Sequence, residues 1–339
     1  MAVAVSSCTD KNLYYNPDKA HHTPTGFQNI NGKLENSFSR VAQWKWQALF
    51  KEIRNADAYD FPLLAPDQKK IRDPQAGIQA TWIGQATLLV QMEGLNILTD
   101  PHFTERASPF SWMGPKRTVR PALSVEQLPK IDLVLISHDH YDHLDRETIH
   151  LLLEKQPQIQ YYAPLGIGRW LIQEGVSAKN VAELDWWDEA AFQNMKVVAT
   201  PLQHWGRRSP LDTNVRLWSG WIVAGESHRF VFIGDTGYDK SHFAEIGRRY
   251  GPFDLAAIPI GAYEPRWFMK DQHVNPEEAV LIHGDIQSKL SIGIHWGTFV
   301  LTDEDLTQPP KDLAAALDEK KIPHDAFQIL THGGMLEIP

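Results

Sequence analysis

The feature that most restricts the fold of this chain is a run of metal-binding side chains directly after a short apolar segment. Residues 131–136 have the composition of a buried strand, and His138, His140, Asp142 and His143 lie within the next seven residues. Because successive side chains of a strand alternate between its faces, residues i and i+2 at its end can aim at one point. Imidazole and carboxylate groups suit zinc and similar divalent ions. The spacing therefore predicts a metal centre at the end of a strand.

Composition excludes several classes of protein. The 339 residues carry a formal net charge of −9, which argues against broad nonspecific affinity for nucleic acid. The longest uninterrupted apolar runs, residues 1–5 and 313–317, are far shorter than the ~20 residues of a membrane-spanning helix. Cys8 is the single cysteine, so neither an intramolecular disulfide nor a thiolate metal cluster can form. Any metal site must therefore be built from carboxylates and the fifteen histidines.

Strands and helices alternate along most of the sequence. From Thr81 onwards, short β-type segments are separated by turns, and four segments have helical patterns. The predicted helices cover residues 146–155, 241–250, 276–287 and 303–319. Interleaved strands and helices are typical of a layered α/β architecture, so the chain is predicted to be an α/β protein.

Residues 1–75 are predicted to be an N-terminal extension, and residues 76–339 the main domain. The extension begins with a mobile terminus of small and polar residues. An amphipathic helix is predicted over 36–55, and a proline-containing linker over 61–74 ends the extension. We expect the helix to dock on the core, with a helix on a membrane surface as the alternative.

Three further metal-binding side chains end β-type segments downstream. These residues are His204, Asp235 and His295. Together with the run at 138–143, they resemble the signature of the metallo-β-lactamase superfamily. That resemblance implies a four-layer αββα sandwich with an N-terminal extension, in which 76–339 is the catalytic domain. The metals would lie on loops at one edge of the sheets.

The resemblance also implies which side chains bind metal. One metal would be held by His138, His140 and His204. The other would be held by Asp142, His143 and His295, and Asp235 would bridge the two. Asp100, which ends another apolar segment, is expected to accept a hydrogen bond from a metal-binding imidazole. Two divalent ions are thus the expected cofactors, with zinc (Zn2+) as the first choice, while iron and manganese also suit these ligands.

Longer strings narrow the resemblance to one family, the N-acyl-phosphatidylethanolamine-hydrolysing phospholipases D. The most similar strings are TWIGQAT at 81–87, MGPKR at 113–117, GDTGY at 234–238 and PIGAYEPRWFM at 259–269. The resemblance extends from Tyr15 to the C-terminus and is densest over 81–305. Gln85 departs from the family pattern, which has histidine there, but Gln85 is not among the predicted ligands.

The family resemblance implies a hydrolase that cleaves a phosphodiester bond of N-acyl-phosphatidylethanolamine. The products would be an N-acylethanolamine and phosphatidic acid, and the attacking group a hydroxide that two metals generate from water. Asp142 and Asp235 are the expected catalytic carboxylates. Tyr141 is expected to donate to a phosphoryl oxygen, with a packing role as the alternative.

A lipid substrate requires apolar surface beside the metals. Segment 266–269 is predicted to be a protruding amphipathic loop in which Trp267 and Phe268 contact lipid. Gln272 and His273 match a family motif, so we expect them to line the substrate site. The expected partners are a phospholipid, a membrane surface contacted peripherally and a second copy of the chain in a homodimer, but no nucleic acid.

Two questions stay open at this level. A lactonase or other small-ester hydrolase, or a metal-containing module that only binds, would use the same ligands, because hydroxide attacks carbon and phosphorus alike. The string VSSC at 5–8 resembles the end of a bacterial lipoprotein signal, although few residues precede Cys8. If a signal was trimmed, we expect a lipoprotein of the bacterial cell envelope, and otherwise a cytoplasmic protein in peripheral contact with a membrane.

Overall fold

The computed structural model of the chain describes residues 11–31, 40, 43–44, 46–47 and 55–339. The terminus predicted at 1–10, which includes Cys8, and most of the helix predicted at 36–55 lie outside the described residues. Across the described ranges, no helix combines the length and the apolar character needed to cross a bilayer.

The described residues form two seven-stranded sheets and one two-stranded ribbon. Their strands are β1 (His22–Thr23), β2 (Gly26–Phe27), β3 (Ile78–Gly84), β4 (Thr87–Met92), β5 (Leu95–Thr99), β6 (Leu133–Leu135), β7 (Gln160–Pro164), β8 (Val181–Leu184), β9 (Glu189–Phe192), β10 (Met195–Thr200), β11 (Gly220–Ala224), β12 (Arg229–Phe232), β13 (Leu255–Pro259), β14 (Ser291–Ile294), β15 (Phe327–Gln328) and β16 (Met335–Ile338). The ribbon is made of β1 and β2.

Helices lie between many of these strands. They are α1 (Gln68–Arg72), α2 (Arg146–Lys155), α3 (Ile167–Gln173), α4 (Lys240–Tyr250), α5 (Arg266–Met269), α6 (Pro276–Asp285) and α7 (Gln308–Lys320), with 3-10 turns at Ala56–Ala58, Val125–Gln127 and Ala178–Asn180. The four helices predicted from the sequence correspond to α2, α4, α6 and α7. The pattern missed α1, α3 and α5, because helices of five, seven and four residues are too short to show a helical period.

The two sheets are built in the same way. The first has the strand order β16-β3-β4-β5-β6-β7-β8, and the second β15-β14-β13-β12-β11-β10-β9. Antiparallel neighbours give way to parallel ones from β5 to β8 in the first sheet. The same change occurs from β12 to β15 in the second. Parallel strands need crossover connections, which α2 and α3 supply in the first sheet and α4, α6 and α7 in the second.

Alternate residues of the first sheet face two different apolar cores. Along β4, Leu88 and Val90 belong to the core that also contains strands of the second sheet. Leu89 belongs to a separate core with Ile149 and Leu152 of α2. Helices α4, α6 and α7 contribute apolar side chains to the core of the second sheet. Both sheets are therefore flanked by helices, and the predicted αββα class is confirmed.

The carboxyl ends of the strands place the predicted ligands at one edge of this sandwich. Asp100 directly follows β5, and His138 lies three residues after β6. In the second sheet, Asp235 lies three residues after β12, and His295 directly follows β14. Strand β10 runs in the direction of β12 because both are antiparallel to β11, so His204 emerges at the same edge.

Candidate metal centre

The ligand run between β6 and α2 folds into a tight turn. His143 N donates to His140 O over 3.1 Å, which turns the backbone back on itself. Asp145 then caps α2, because its carboxylate accepts from both the backbone N–H and the hydroxyl of Thr148. The turn places side chains from a six-residue stretch around one point at the sheet edge.

Three imidazoles form the first ligand group. His140 Nδ1 lies 2.9 Å from His138 Nε2 and 3.2 Å from His204 Nε2. His138 and His204 are buried, and His140 is partly exposed. All three nitrogen atoms lie within 4.8 Å of one another, so a single cation could contact all of them. The structure thus brings together the set predicted for one metal.

Two imidazoles and two carboxylates form the second ligand group. Asp142 Oδ2 lies 3.2 Å from His143 Nε2 and 3.1 Å from His295 Nε2. Asp235 Oδ2 lies 3.3 and 3.2 Å from the same two nitrogen atoms. These four ligand atoms also lie within 4.8 Å of one another. The set predicted for the second metal is therefore assembled as well.

Asp235 is the side chain that connects the two groups. Its Oδ2 atom, which faces the second group, lies 4.0 Å from His138 Nε2 of the first. Its other carboxylate oxygen, Oδ1, is buried and has no hydrogen-bond partner among the described residues. A buried polar atom without a partner is costly, and a cation would satisfy it. The residues therefore fit divalent metals, although the ligand assignment itself stays a prediction.

Asp100 and Ser137 orient two of the imidazoles. Asp100 Oδ2 accepts from His143 Nδ1 over 2.7 Å. Ser137 donates to the same carboxylate from its backbone N, over 2.7 Å, and from its hydroxyl, over 2.5 Å. The Ser137 hydroxyl in turn accepts from His138 Nδ1 over 2.9 Å. With their Nδ1 atoms engaged in this way, His138 and His143 present Nε2 to the centre.

His204 is held by Gln272, which the sequence places in the substrate site, and by Asn29, which the sequence analysis missed. Its Nδ1 atom donates to the backbone carbonyl of Gln272 over 2.9 Å. The buried side chain of Asn29 pairs with the His204 backbone, accepting from N and donating to O, each over 2.9 Å. Asn29 lies 175 residues away, in the predicted N-terminal extension, so the described part of that extension contributes to the centre.

Gln85, the departure from the family pattern, contacts a predicted ligand. Its Nε2 atom donates to Asp142 Oδ2 over 2.9 Å. Its backbone carbonyl accepts from His295 N over 3.0 Å, and its backbone N donates to the Thr298 hydroxyl over 2.8 Å. Gln85 therefore ties one ligand of the second group to the segment that carries another.

The charges of the centre favour a cation. Burial lowers the pKa of His140 to about 4 and the pKa of His204 to about 3, so both imidazoles are neutral. Burial alone would also lower the pKa of His295, but the carboxylates of Asp235 and Asp142 raise it to about 9. In the absence of a metal, the second group attracts protons instead, which marks it as a site for positive charge.

His273 and Gln272 lie at the centre in different ways. His273 Nδ1 lies 3.7 Å from Asp235 Oδ2, and its side chain is 13% exposed, in keeping with a residue that lines a substrate site. The Gln272 side chain is buried and donates to Met269 Sδ over 3.4 Å. Gln272 thus acts on the centre through its backbone carbonyl, and its predicted contact with substrate is not supported by this placement.

Segment 266–269 is not the protruding loop that its composition predicts. It forms the single helical turn α5, in which Phe268 is buried and Trp267 is 38% exposed. The Phe268 ring stacks on Trp44 at a centroid distance of 5.2 Å. The prediction for Phe268 was wrong because a helical turn directs neighbouring side chains in different directions, and composition does not show which of them is buried.

The Tyr141 hydroxyl has an acceptor within the protein. It donates to the backbone carbonyl of Arg208 over 2.7 Å, and the Arg208 guanidinium lies 4.3 Å from the centroid of the Tyr141 ring. These contacts give Tyr141 a packing role. Donation to a phosphoryl oxygen stays a prediction, and it would require the bond to Arg208 to break.

A third group of potential ligands lies in the N-terminal segment. His21 Nε2 and His22 Nε2 lie 2.6 and 2.9 Å from the two carboxylate oxygens of buried Asp185. The Lys19 ammonium lies 2.5 Å from the same carboxylate. Because a lysine already neutralises Asp185, we interpret this cluster as the attachment of residues 11–31 to the turn after β8.

Comparison with known families identifies the class of protein. The model described as the beta-lactamase superfamily domain matches residues 95–296, which is more than half of the chain and includes all seven predicted ligands. The chain belongs to the β-lactamase superfamily and is a metal-dependent hydrolase of that fold.

Named relatives identify the family within this superfamily. The chain is 46% identical over 255 residues to N-acyl-phosphatidylethanolamine-hydrolyzing phospholipase D 1 of Caenorhabditis elegans, covering 73% of this chain and 72% of the relative. It is 34% identical over 272 residues to the mitochondrial protein of that name from Saccharomyces cerevisiae, covering 78% of this chain and 57% of the relative. The predicted family resemblance is confirmed.

A solved structure shows the same fold. The isothiocyanate hydrolase from Delia radicum gut bacteria aligns with a TM-score of 0.62 at 19% identity, covering 77% of this chain and 98% of that protein. At this identity the likeness concerns the fold alone.

Proposed function

We propose that the chain hydrolyses N-acyl-phosphatidylethanolamines by cleaving the phosphodiester bond to the N-acylethanolamine. The products are an N-acylethanolamine and phosphatidic acid. The observation that carries this proposal is the 46% identity, over 73% of the chain, to a relative named for that reaction. The two adjoining ligand groups support the proposal, because their side chains could hold the metals that the reaction requires.

Seven side chains would hold two divalent cations, of which zinc is the first choice. The residues are His138, His140 and His204 for one cation, Asp142, His143 and His295 for the other, and Asp235 between them. When bound, two such cations lower the pKa of water towards ~7 and polarise a phosphoryl oxygen.

The protein's own contribution is to orient the donors. Ser137, Asp100 and the Gln272 carbonyl each accept an Nδ1–H, which leaves the Nε2 lone pair of the corresponding imidazole free to face the centre. Donors fixed in this way lose little freedom when a cation binds. The centre is therefore organised before substrate arrives.

The partly exposed side of the centre gives the place where a phosphodiester would approach. His140 and Asp142 are half-buried there, and the Trp205 ring packs edge-on against His140 at a centroid distance of 4.6 Å. The exposed guanidinium of Arg207 lies 5.2 Å from the centroid of Trp205. We expect this cation to attract the anionic headgroup, with His273 lining the site.

The test is a lipid-hydrolysis assay on protein whose metal content is measured in the same sample. The metal-loaded chain is incubated with N-acyl-phosphatidylethanolamine in mixed micelles, and the products are identified by mass spectrometry. We expect N-acylethanolamine and phosphatidic acid in equal amounts, and a rate at least about 100-fold lower for His140→Ala. The matched control is His150→Ala on α2, whose imidazole is 48% exposed and pairs with Glu174.

Two outcomes would contradict the proposal. Rapid turnover of a panel of lactones with no cleavage of the lipid would identify a small-ester hydrolase. Two bound metals without turnover of any ester or phosphodiester would identify a binding module.

A further inference from the structure

An uncharged apolar tip projects from the connection between β5 and β6. Residues 109–114, PFSWMG, are all exposed. Phe110, Trp112 and Met113 expose 49%, 73% and 45% of their surface, and the rings of Phe110 and Trp112 lie 5.7 Å apart. Large apolar side chains grouped on a surface mark contact with another apolar partner.

The base of this tip is fixed by hydrogen bonds. Ala107 N donates to Pro115 O over 3.0 Å, and the Arg106 guanidinium donates to Gly114 O over 2.8 Å. Gly114 has φ +95°, and a Cβ there would lie 2.6 Å from Ser108 Cβ, so glycine is required. The apolar side chains are therefore held in a defined position, which reduces the entropy lost when a partner binds.

The tip shares a cavity with the loop that carries four of the predicted ligands. A cavity of about 1040 Å3 is lined by Phe110 and Ser111 of the tip and also by Tyr141. Tyr141 stands in the chain between the predicted ligands His140 and Asp142. A surface that contacts the tip is therefore on the same side of the molecule as one end of this cavity, whose lining includes a residue of the predicted ligand loop.

We propose that residues 109–114 insert into the interfacial region of a phospholipid bilayer and hold the metal centre at the membrane surface. This inference rests on the proposed function, in which the substrate is a lipid. Trp112 has the amphipathic ring that favours the boundary between headgroups and acyl chains, and Phe110 and Met113 add apolar area.

A bilayer fits the tip better than a second copy of the chain does. A stable protein interface takes about 20–30 residues from each partner, whereas the tip offers three large apolar side chains. Such a small apolar group gains most by entering a medium that surrounds it on every side.

The charges around the tip indicate how strongly membrane binding should depend on salt concentration. Arginines and carboxylates both line the neighbouring cavity, and the net charge of the chain is −9. Attraction to anionic headgroups would be screened by salt, whereas apolar insertion would not. We therefore expect binding to neutral phosphatidylcholine vesicles that persists at high salt.

The test is co-sedimentation of the metal-loaded full chain with phosphatidylcholine vesicles. The double variant Phe110→Ser, Trp112→Ser should partition to vesicles about tenfold less than wild type, with unchanged metal content and thermal unfolding. The matched control is Leu13→Ser, because Leu13 is 73% exposed, as Trp112 is. That control should bind as wild type does.

Three outcomes would overturn the inference. One is unchanged vesicle binding of the tip variant, and another is loss of binding caused by Trp267→Ser instead. The third is dissociation of a dimer by the tip variant in analytical ultracentrifugation, which would make the tip a protein contact. The vesicle assay does not depend on hydrolysis. Vesicle binding through the tip, combined with no cleavage of N-acyl-phosphatidylethanolamine in the hydrolysis assay, would therefore refute the proposed function and leave the tip assignment standing.

Discussion

His143 donates from Nδ1 to Asp100 Oδ2 over 2.7 Å, and neither side chain is exposed to solvent. The same carboxylate accepts both Ser137 donors, so it fixes a predicted ligand and the end of a strand together. Asp100 therefore determines the orientation of His143 although it lies outside both ligand groups.

Asp100→Asn should weaken metal binding without removing a ligand. The amide offers one acceptor oxygen where the carboxylate has two, so it cannot accept all three hydrogen bonds from Ser137 and His143. We expect about 10–100-fold lower metal affinity, measured by titration against a chelator. The control is Asp132→Asn. Asp132 stands just before β6 and accepts from Asn96 N instead of from a predicted ligand. Equal affinities for the Asp100 variant and wild type would contradict this role.

Asn29→Ala should loosen His204 and destabilise the fold. The change leaves the buried backbone N–H and carbonyl of His204 without the partners that Asn29 supplies. We expect unfolding free energy to fall by about 1–3 kcal/mol and metal to bind less tightly, measured by denaturant unfolding and chelator titration. Gln28→Ala is the matched control, because Gln28 donates to Ala20 O instead. If both variants behave alike, Asn29 does not support the centre.

The stability of the metal-free chain should fall as pH rises from 6.5 to 9. Although burial opposes it, the facing carboxylates raise the pKa of His295 from 6.5 to about 9 in the folded chain. A group whose pKa is higher in the folded than in the unfolded chain stabilises the fold fully when the pH is below its unfolded pKa. That contribution is lost as the pH rises through its folded pKa. Metal binding requires neutral imidazole, so loading at pH 7 should also release protons.

Thermal unfolding across this pH range and calorimetry in buffers of different ionisation enthalpy measure both effects. His295→Gln is the control and should show a smaller decline, because it lacks the titrating group. A metal-free chain whose stability is constant or rises between pH 6.5 and 9 would contradict the assignment of charge at the centre.

Gln85→Leu should weaken metal binding at the second group. Leucine removes the donor to Asp142 Oδ2 with little change in volume, so the carboxylate loses the bond that orients it. We expect about tenfold lower affinity by chelator titration. The control is Gln91→Leu, another buried glutamine, which donates to Ile71 O and Asn96 Oδ1. Gln91→Leu should cost stability but leave metal affinity unchanged, and the opposite pattern would refute the role of Gln85.

Local sequence predicts the part of the centre that local structure builds. The run from His138 to His143 begins three residues after β6, so its position at a sheet edge depends on neighbouring residues alone. His204, Asp235 and His295 follow three strands of the second sheet, and they meet the run from His138 to His143 only because the two sheets are stacked. The family resemblance supplied that information, because spacing along the chain does not contain it.

The contacts that orient the ligands could not be predicted in the same way. Asn29 and His204 meet through pairing across 175 residues, and a lone asparagine carries no pattern that shows this. Gln272 acts through its backbone carbonyl, which is common to every residue. Phe268 has the composition of a lipid contact but lies in a single helical turn whose buried side depends on Trp44.

The most direct test of the metal centre is anomalous diffraction from crystals of the metal-loaded chain. We expect two anomalous peaks, both beside Asp235, one among His138, His140 and His204 and the other among Asp142, His143 and His295. No peak at these side chains after loading, or a peak only at His21, His22 and Asp185, would contradict the account.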